Sequence, residues 1–259
     1  MVGSLLGCSK TATHITLLGL FVVLTFGSCS SAPWGDGFVD GLGADVKASF
    51  TPMENLVILG SAFAGGMALD SGIGANAEDR VAHFFTNNDV IPDSAGHQLD
   101  ILGSGIFLFG AAGAWHGGAR LWGDAADEQA SLAMISALSI TGITTLTIKS
   151  IINDGRPNGS AGGYPSGHSS MAMAAAASLG ESYGWKVGVP AYLAAIAVGV
   201  QRLDSRQHDL DDVIGGLALG YVVGSSIAGR RLPQVLGGEL QPIIDPIGGE
   251  MGLVVLWNF

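Results

Sequence analysis

Cysteine is nearly absent from this chain of 259 residues: there are two, Cys8 and Cys29, both close to the N-terminus. Neither a disulfide framework nor a cysteine-based metal centre is available to the rest of the chain. Charge is scarce as well, at 13% of residues, and cations are scarcer still, with 11 Lys and Arg against 22 Asp and Glu. The formal net charge of −11 argues against nucleic acid as a partner. An anionic ligand would have to be drawn in by a local cationic cluster, because the field of the whole protein repels it. No His, Asp and Glu fall together at metal-ligand spacing. Asp89, Asp93 and Asp100 do not match a calcium loop and read as solvated carboxylates in and around a loop over 87–96. The sequence calls for no metal and no cofactor.

Long apolar runs are few. Ile15 to Phe26 follows Lys10 and His14 and suits the core of an export leader, being too short to span a bilayer. The small residues Gly27 and Ser28 before Cys29 resemble a bacterial lipobox, with Phe26 where Leu is usual. Residues 1–31 are therefore expected to be a lipoprotein leader, with Cys29 the lipidated first residue of a protein in the cell envelope, outside the cytoplasm. An ordinary leader or an uncleaved anchor is the alternative. About 230 residues then remain, enough for one sizeable core.

What the chain does have is Gly and Ala in quantity, with 41 glycines, and a mean hydropathy of +0.43. Residues 32–50 read as a tether. A helical domain is expected over 51–232, and a strand-like extension over 233–259. Thr51, Pro52 and Glu54 resemble a helix start, for a helix to about Leu69. Further helices are expected over about 76–85, 99–115, 125–152, from Ser166, over about 185–202 with Pro190 inside, and over about 209–228. The fold class is thus all-α, a bundle of six or seven helices with a short strand-like tail. Gln129 to Ile148 and Ile101 to Ala119 contain no acidic residue, Lys or Arg. Both suit a buried helix of a compact bundle at a membrane better than a span, the first because it carries seven Ser and Thr.

Three clusters between Lys149 and Asp212 carry chemistry. The first is Lys149 with Arg156 and Pro157. The second is Pro165-Ser166-Gly167-His168. The third is Arg202, His208 and Asp212. A phosphate ester needs donors that follow charge onto its non-bridging oxygens as the bond breaks. Lys149, Arg156 and Arg202 are three cations in a chain poor in them, and Arg suits two-point contact with phosphate. Pro165-Ser166-Gly167-His168 opens a helix whose N-terminus favours an anion; Gly167 leaves the N–H groups unobstructed, and Ser166 adds a hydroxyl. His208 is the better nucleophile, because Asp212 lies one helical turn on and can hold the imidazole tautomer. His168 is left as general acid. Any one of these residues alone would more often be structural; their order and spacing together make the signal. His83, His97 and His116 read as structural or exposed, and His14 belongs to the leader.

The three clusters resemble the type-2 phosphatidic acid phosphatase superfamily, which also holds class A acid phosphatases and vanadium haloperoxidases. Its pattern is Lys-x6-Arg-Pro, Pro-Ser-Gly-His and Ser-Arg-x5-His-x3-Asp. The chain has every element except the last Ser, where Gln201 stands. Arg206, after Ser205, is a decoy, because Asp212 and not His follows at the family's interval. The resemblance implies a helical core with the site at one end and a phosphohistidine on His208 assisted by Asp212. It further implies His168 as acid, with Lys149, Arg156, Ser166, Gly167 and Arg202 on the phosphate. The expected partners are a phosphorylated lipid, or a small phosphate ester, and the membrane. An inactive envelope lipoprotein of the same fold is the reading from another class. Seven residues separate Pro157 from Pro165, a short lid.

Overall fold

The structure is a computed structural model that describes residues 37–70, 75–122, 125–231, 234–235, 238–244 and 251–256, the strands as backbone only. The leader and Cys29 lie outside the described residues. The chain divides into two units, Met1–Gly43 and Ala44–Phe259, and the site lies in the second.

The described residues form nine helices and three short strands. The helices are α1 (Gly37–Phe50), α2 (Met53–Asp70), α3 (Ala75–Asn87), α4 (Asp93–Gly103), α5 (Gly105–Trp122), α6 (Ala125–Ile152), α7 (Gly167–Tyr183), α8 (Trp185–Asp204) and α9 (Leu210–Arg230). The strands β1 (Gln234–Val235), β2 (Gly238–Ile244) and β3 (Met251–Leu256) pair antiparallel in the order β1-β2-β3. The all-α class with a strand-like tail is what the sequence led us to expect, with a few more helices. α6 runs over the expected range, and α8 carries Pro190 within it.

Two expectations need correction. The stretch over 32–50 reads as a tether in the sequence, yet Gly37–Phe50 is α1. Its Gly and Asp content weighs against a helix, but tertiary contacts override it. Asp45 is buried and accepts hydrogen bonds from Arg230 and Arg231, the latter at 2.7 Å. Asn55 of α2 then reaches back to the carbonyls of Ala48 and Ser49, and across to Ser226 of α9 at 2.8 Å. The second correction concerns the single helix expected over about 99–115. The chain instead breaks at Ser104, which is extended between α4 and α5. A Cβ on Gly103 would lie 2.6 Å from Val198, so the helix approaches α8 closely there and then turns. Ser104 Oγ accepts the Phe107 N–H at 3.3 Å and caps α5. α4 also begins earlier than expected, at Asp93.

α7 is the centre of the bundle. Every residue from Ser169 to Ser178 is buried. Nothing in its Ala-, Ser- and Met-rich sequence has the bulk to hold neighbours apart, and α9 meets it with small residues in turn. Gly216, Gly220 and Gly224 fall on one stripe. A Cβ at these positions would stand 2.6 Å from Ser166 O, 2.2 Å from Ser170 O and 2.5 Å from Ala174 O. The two backbones therefore touch along three turns. Leu138, Met134, Met171 and Ala112 fill one side of α7, and Val198, Ala195, Met173 and Ala176 the other. By length and composition α6 and α9 could each cross a membrane, but 50% and 61% of their apolar stretches are buried in the bundle, so both also serve as core helices.

Candidate active site

Four element ends converge. Lys149 stands in the last turn of α6, and Ser166 to His168 open α7. Arg202 is in the last turn of α8, and Asp212 is in the first turn of α9. Backbone bonds lock these ends together. Ser166 N–H donates to the Asp212 carbonyl at 2.8 Å, and the N–H groups of Gln207 and His208 both donate to the Arg202 carbonyl. The turn that carries His208 passes through Arg206 at φ 55°, a left-handed conformation that favours glycine.

His208 Nδ1 donates to Asp212 Oδ2 at 2.8 Å, and both side chains are buried. The same carboxylate oxygen accepts the Asp209 N–H at 3.3 Å, which fixes it at the start of α9. With Nδ1–H committed to the carboxylate, Nε2 keeps its lone pair. Burial, together with Lys149, Arg156 and Arg202 around it, pushes the His208 imidazole down to about 3. It is therefore neutral and nucleophilic at any ordinary pH.

The cations are held by their neighbours. Lys149 Nζ donates to the carbonyls of Gly162 and Gly163, the latter at 2.7 Å, and Arg156 Nε donates to Gly162 O at 3.1 Å. The lid over 153–166 is thus drawn onto the two cations it must position. Within it, Gly155 and Ala161 form a bridge, and Asn158 donates to Gln207 at 3.2 Å. Arg202 is nearly buried; its Nε donates to Gln201 Oε1 at 2.6 Å and one Nη to Asp100. Gln201 replaces the expected Ser and acts directly on the guanidinium. Arg206 points elsewhere, donating to the Ala82 carbonyl at 2.9 Å, so Arg202 is the arginine of the site.

Ser166 is the N-cap of α7 and is fully buried; its Oγ accepts from Ser169 Oγ at 3.0 Å. Gly167 is the first residue of that helix, so its N–H is among those with no partner inside the helix. His168, half-buried, sits 3.3 Å from Asp100 through Nε2. Burial, then Arg202, pushes it down to about 4, against Asp100, which raises it. Every residue singled out by the three clusters is thus found at one end of the bundle, while Cys29 lies outside the described residues.

Sequence reasoning missed two things here. Asp100 touches both Arg202 and His168, yet its place among scattered loop carboxylates concealed it. One oxygen each from Asp154, Asp211 and Asp212 also lies within 4.8 Å of the others, a gathering that no spacing in the chain announces. Lys149 faces Asp212 and Asp154 of this group as a counter-charge. His116 is buried against Ser131 at 3.0 Å, as a structural histidine would be.

Residues 130–229 match the profile of the PAP2 superfamily. No curated protein matches the chain. A solved structure similar to it is that of a transmembrane PAP2 type phosphatidylglycerolphosphate phosphatase from Bacillus subtilis. The TM-score is 0.56 at 19% identity, over 67% of this chain and 96% of that one. At that identity the likeness speaks for the fold, which both chains share. The segment that matches the PAP2 superfamily profile holds all three clusters.

Proposed function

We propose that the protein is a phosphatase that hydrolyses a phosphate monoester or pyrophosphate of a lipid through a phosphohistidine. The observation that carries this reading is the His208–Asp212 pair at 2.8 Å, facing a cluster of Lys149, Arg156 and Arg202 in an acidic protein. His208 Nε2 attacks phosphorus as the ester P–O bond breaks, and His168 gives the leaving oxygen its proton. Water then attacks the phosphohistidine and passes a proton to His168, and the N–P bond breaks to release phosphate and free His208. The three cations and the N–H groups at the start of α7 hold the non-bridging oxygens throughout. The Asp212 carboxylate balances positive charge on the phosphorylated ring. These cations supply the charge that phosphoryl transfer needs, so hydrolysis is expected to survive a chelator.

The lipid assignment rests on surface chemistry. Ile106, Leu121, Trp122, Ile151, Met67 and Leu193 are each more than 60% exposed, on four different helices. Apolar exposure of this extent marks a surface that meets lipid or protein. A cleft of about 360 Å³ lined by Phe63, Ile148, Ile151, Tyr164, Pro165 and Leu219 opens beside the lid. With the leader and Cys29, these features support a membrane-associated protein of the cell envelope whose site faces away from the cytoplasm. A small soluble phosphate ester is the second substrate class, since the lid over the site is short.

The test offers phosphatidate and a small aryl phosphate in parallel, with chelator present and His208→Ala as control. Release that vanishes in His208→Ala supports the reading, and the ratio of the two substrates decides between lipid and soluble ester. No release from either by folded protein would favour an inactive envelope lipoprotein.

A further inference from the structure

Each histidine of the site has a carboxylate on one nitrogen. His208 gives Nδ1 to Asp212 at 2.8 Å. His168 presents Nε2 to Asp100 Oδ1 at 3.3 Å, and the same oxygen takes a hydrogen bond from an Arg202 Nη. Gly103, on the same face of α4 as Asp100, packs against the ring; a Cβ there would stand 3.1 Å from His168 Cβ and 3.1 Å from Cδ2. The Cδ2–Nε2 edge of His168 is therefore taken up by α4, and Nδ1 is the nitrogen that Asp100 does not engage. Only glycine at 103 permits this approach, and the chain breaks immediately afterwards at Ser104.

We propose that Asp100 is a positioning residue for the acid step: it holds His168 by Nε2 and Arg202 by an Nη, so that Nδ1 carries the proton that reaches the leaving oxygen. This inference rests on the phosphatase reading and extends it to a residue outside the three clusters. In the first step the Nδ1 proton passes to the ester oxygen as P–O breaks, leaving a neutral ring still bonded through Nε2–H to Asp100. In the second step water delivers a proton to Nδ1 as its oxygen bonds phosphorus and the His208 N–P bond breaks. The proton balance closes over one turnover.

The surroundings give Asp100 its importance. Arg202 from α8, Arg156 from the lid and His208 from the turn before α9 all disfavour charge on His168, and Asp100 from α4 opposes them. A general acid must be protonated before it acts. Without this carboxylate, the ring nearest the leaving group would face only cations and burial.

The experiment compares wild type with Asp100→Asn and Asp100→Glu in the full chain, using an alkyl phosphate and 4-nitrophenyl phosphate across pH. An alkoxide needs a proton to leave and 4-nitrophenolate does not. The expected result for Asp100→Asn is a fall in kcat/KM of about ten- to a hundredfold on the alkyl ester and about threefold or less on the nitrophenyl ester. Its alkaline limb is expected to move to lower pH, with Asp100→Glu restoring part of both. An equal fall on both esters with an unmoved limb, or no fall, would overturn the proposal. His168 is also titrated by NMR in the same proteins, where Asp100→Asn should lower its pKa by about one unit or more; an unchanged titration would overturn the proposal too. If wild type hydrolyses neither ester, the phosphatase reading fails, while the titration still decides whether Asp100 governs His168.

Discussion

At the residue scale, the proposed chemistry depends on which nitrogen of each imidazole is free. Asp212→Asn keeps the shape of the His208 contact but replaces an acceptor that suits Nδ1–H with an amide that can present its NH2 instead. The tautomer that leaves Nε2 nucleophilic is then lost, and kcat is expected to fall by about a hundredfold or more with little change in KM. Steady-state kinetics on either ester checks this. The pH profile follows from the two perturbed histidines and Asp212. The acid limb belongs to the His208–Asp212 pair: His208 must be neutral and is depressed to about 3, while Asp212 must be ionised and is pushed up to about 6, chiefly by burial. His168 must be protonated and is depressed to about 4, so kcat/KM should fall as pH rises above that value. The expected profile is a bell confined to acid pH, with an alkaline limb that responds to Asp100 and an acid limb that does not. A maximum above pH 7 in kcat/KM would contradict these protonation states. Arg202→Lys should weaken inorganic phosphate binding by about tenfold or more, because an ammonium cannot both bond Gln201 and Asp100 and make a two-point contact with phosphate. Competitive inhibition by phosphate reads this directly. Of the site itself, Lys149, Arg156, His168, Arg202, His208 and Asp212 were legible in the sequence because their spacing reflects helix ends and turns of set length. Asp100 was not, because nothing local distinguishes a carboxylate that a helix will aim at Arg202 from one that solvent will surround.

At the element scale, the site stands on the contact between α7 and α9. The stripe Gly216, Gly220 and Gly224 lets α9 lie against the α7 backbone, which sets Asp212 beside Ser166. Gly220→Ala places a methyl group about 2.2 Å from Ser170 O. Helix propensity alone would make that change favourable by roughly 0.5–1 kcal/mol. The overlap is the larger effect, and the net outcome expected is destabilisation of about 1–3 kcal/mol, read as a lower denaturation midpoint. An unchanged or raised midpoint would mean the two helices can part without cost. α1 illustrates the opposite relation between sequence and element. Its glycines and aspartates argue for a loop, and it is helical because Asp45 meets Arg230 and Arg231 from the far end of α9. No reading of residues 37–50 in isolation could supply that partner. The break between α4 and α5 is similar: a continuous apolar pattern hides a turn that close packing of Gly103 on Val198 and His168 requires.

At the scale of the whole molecule, two properties pull in different directions. The chain is acidic, with a net charge of −11, yet its helices expose Ile, Leu, Met and Trp widely. A protein of this kind is expected to remain with detergent or bilayer even without the lipid anchor proposed at Cys29. Full-length Cys29→Ser should therefore still partition into the detergent phase of a phase-separating detergent; recovery in the aqueous phase would show that the anchor alone holds it. The sequence by itself determined the helical class, the strand-like tail and the six residues of the proposed catalytic constellation, because periodicity, caps and fixed spacings are local properties. Only the tertiary structure decided that α1 exists, that one expected helix is two, that Asp154 gathers with Asp211 and Asp212 beside Lys149, and that Asp100 reaches both Arg202 and His168. Each of these depends on a partner more than 40 residues away or on how closely two backbones approach, and neither is written in a local stretch of chain.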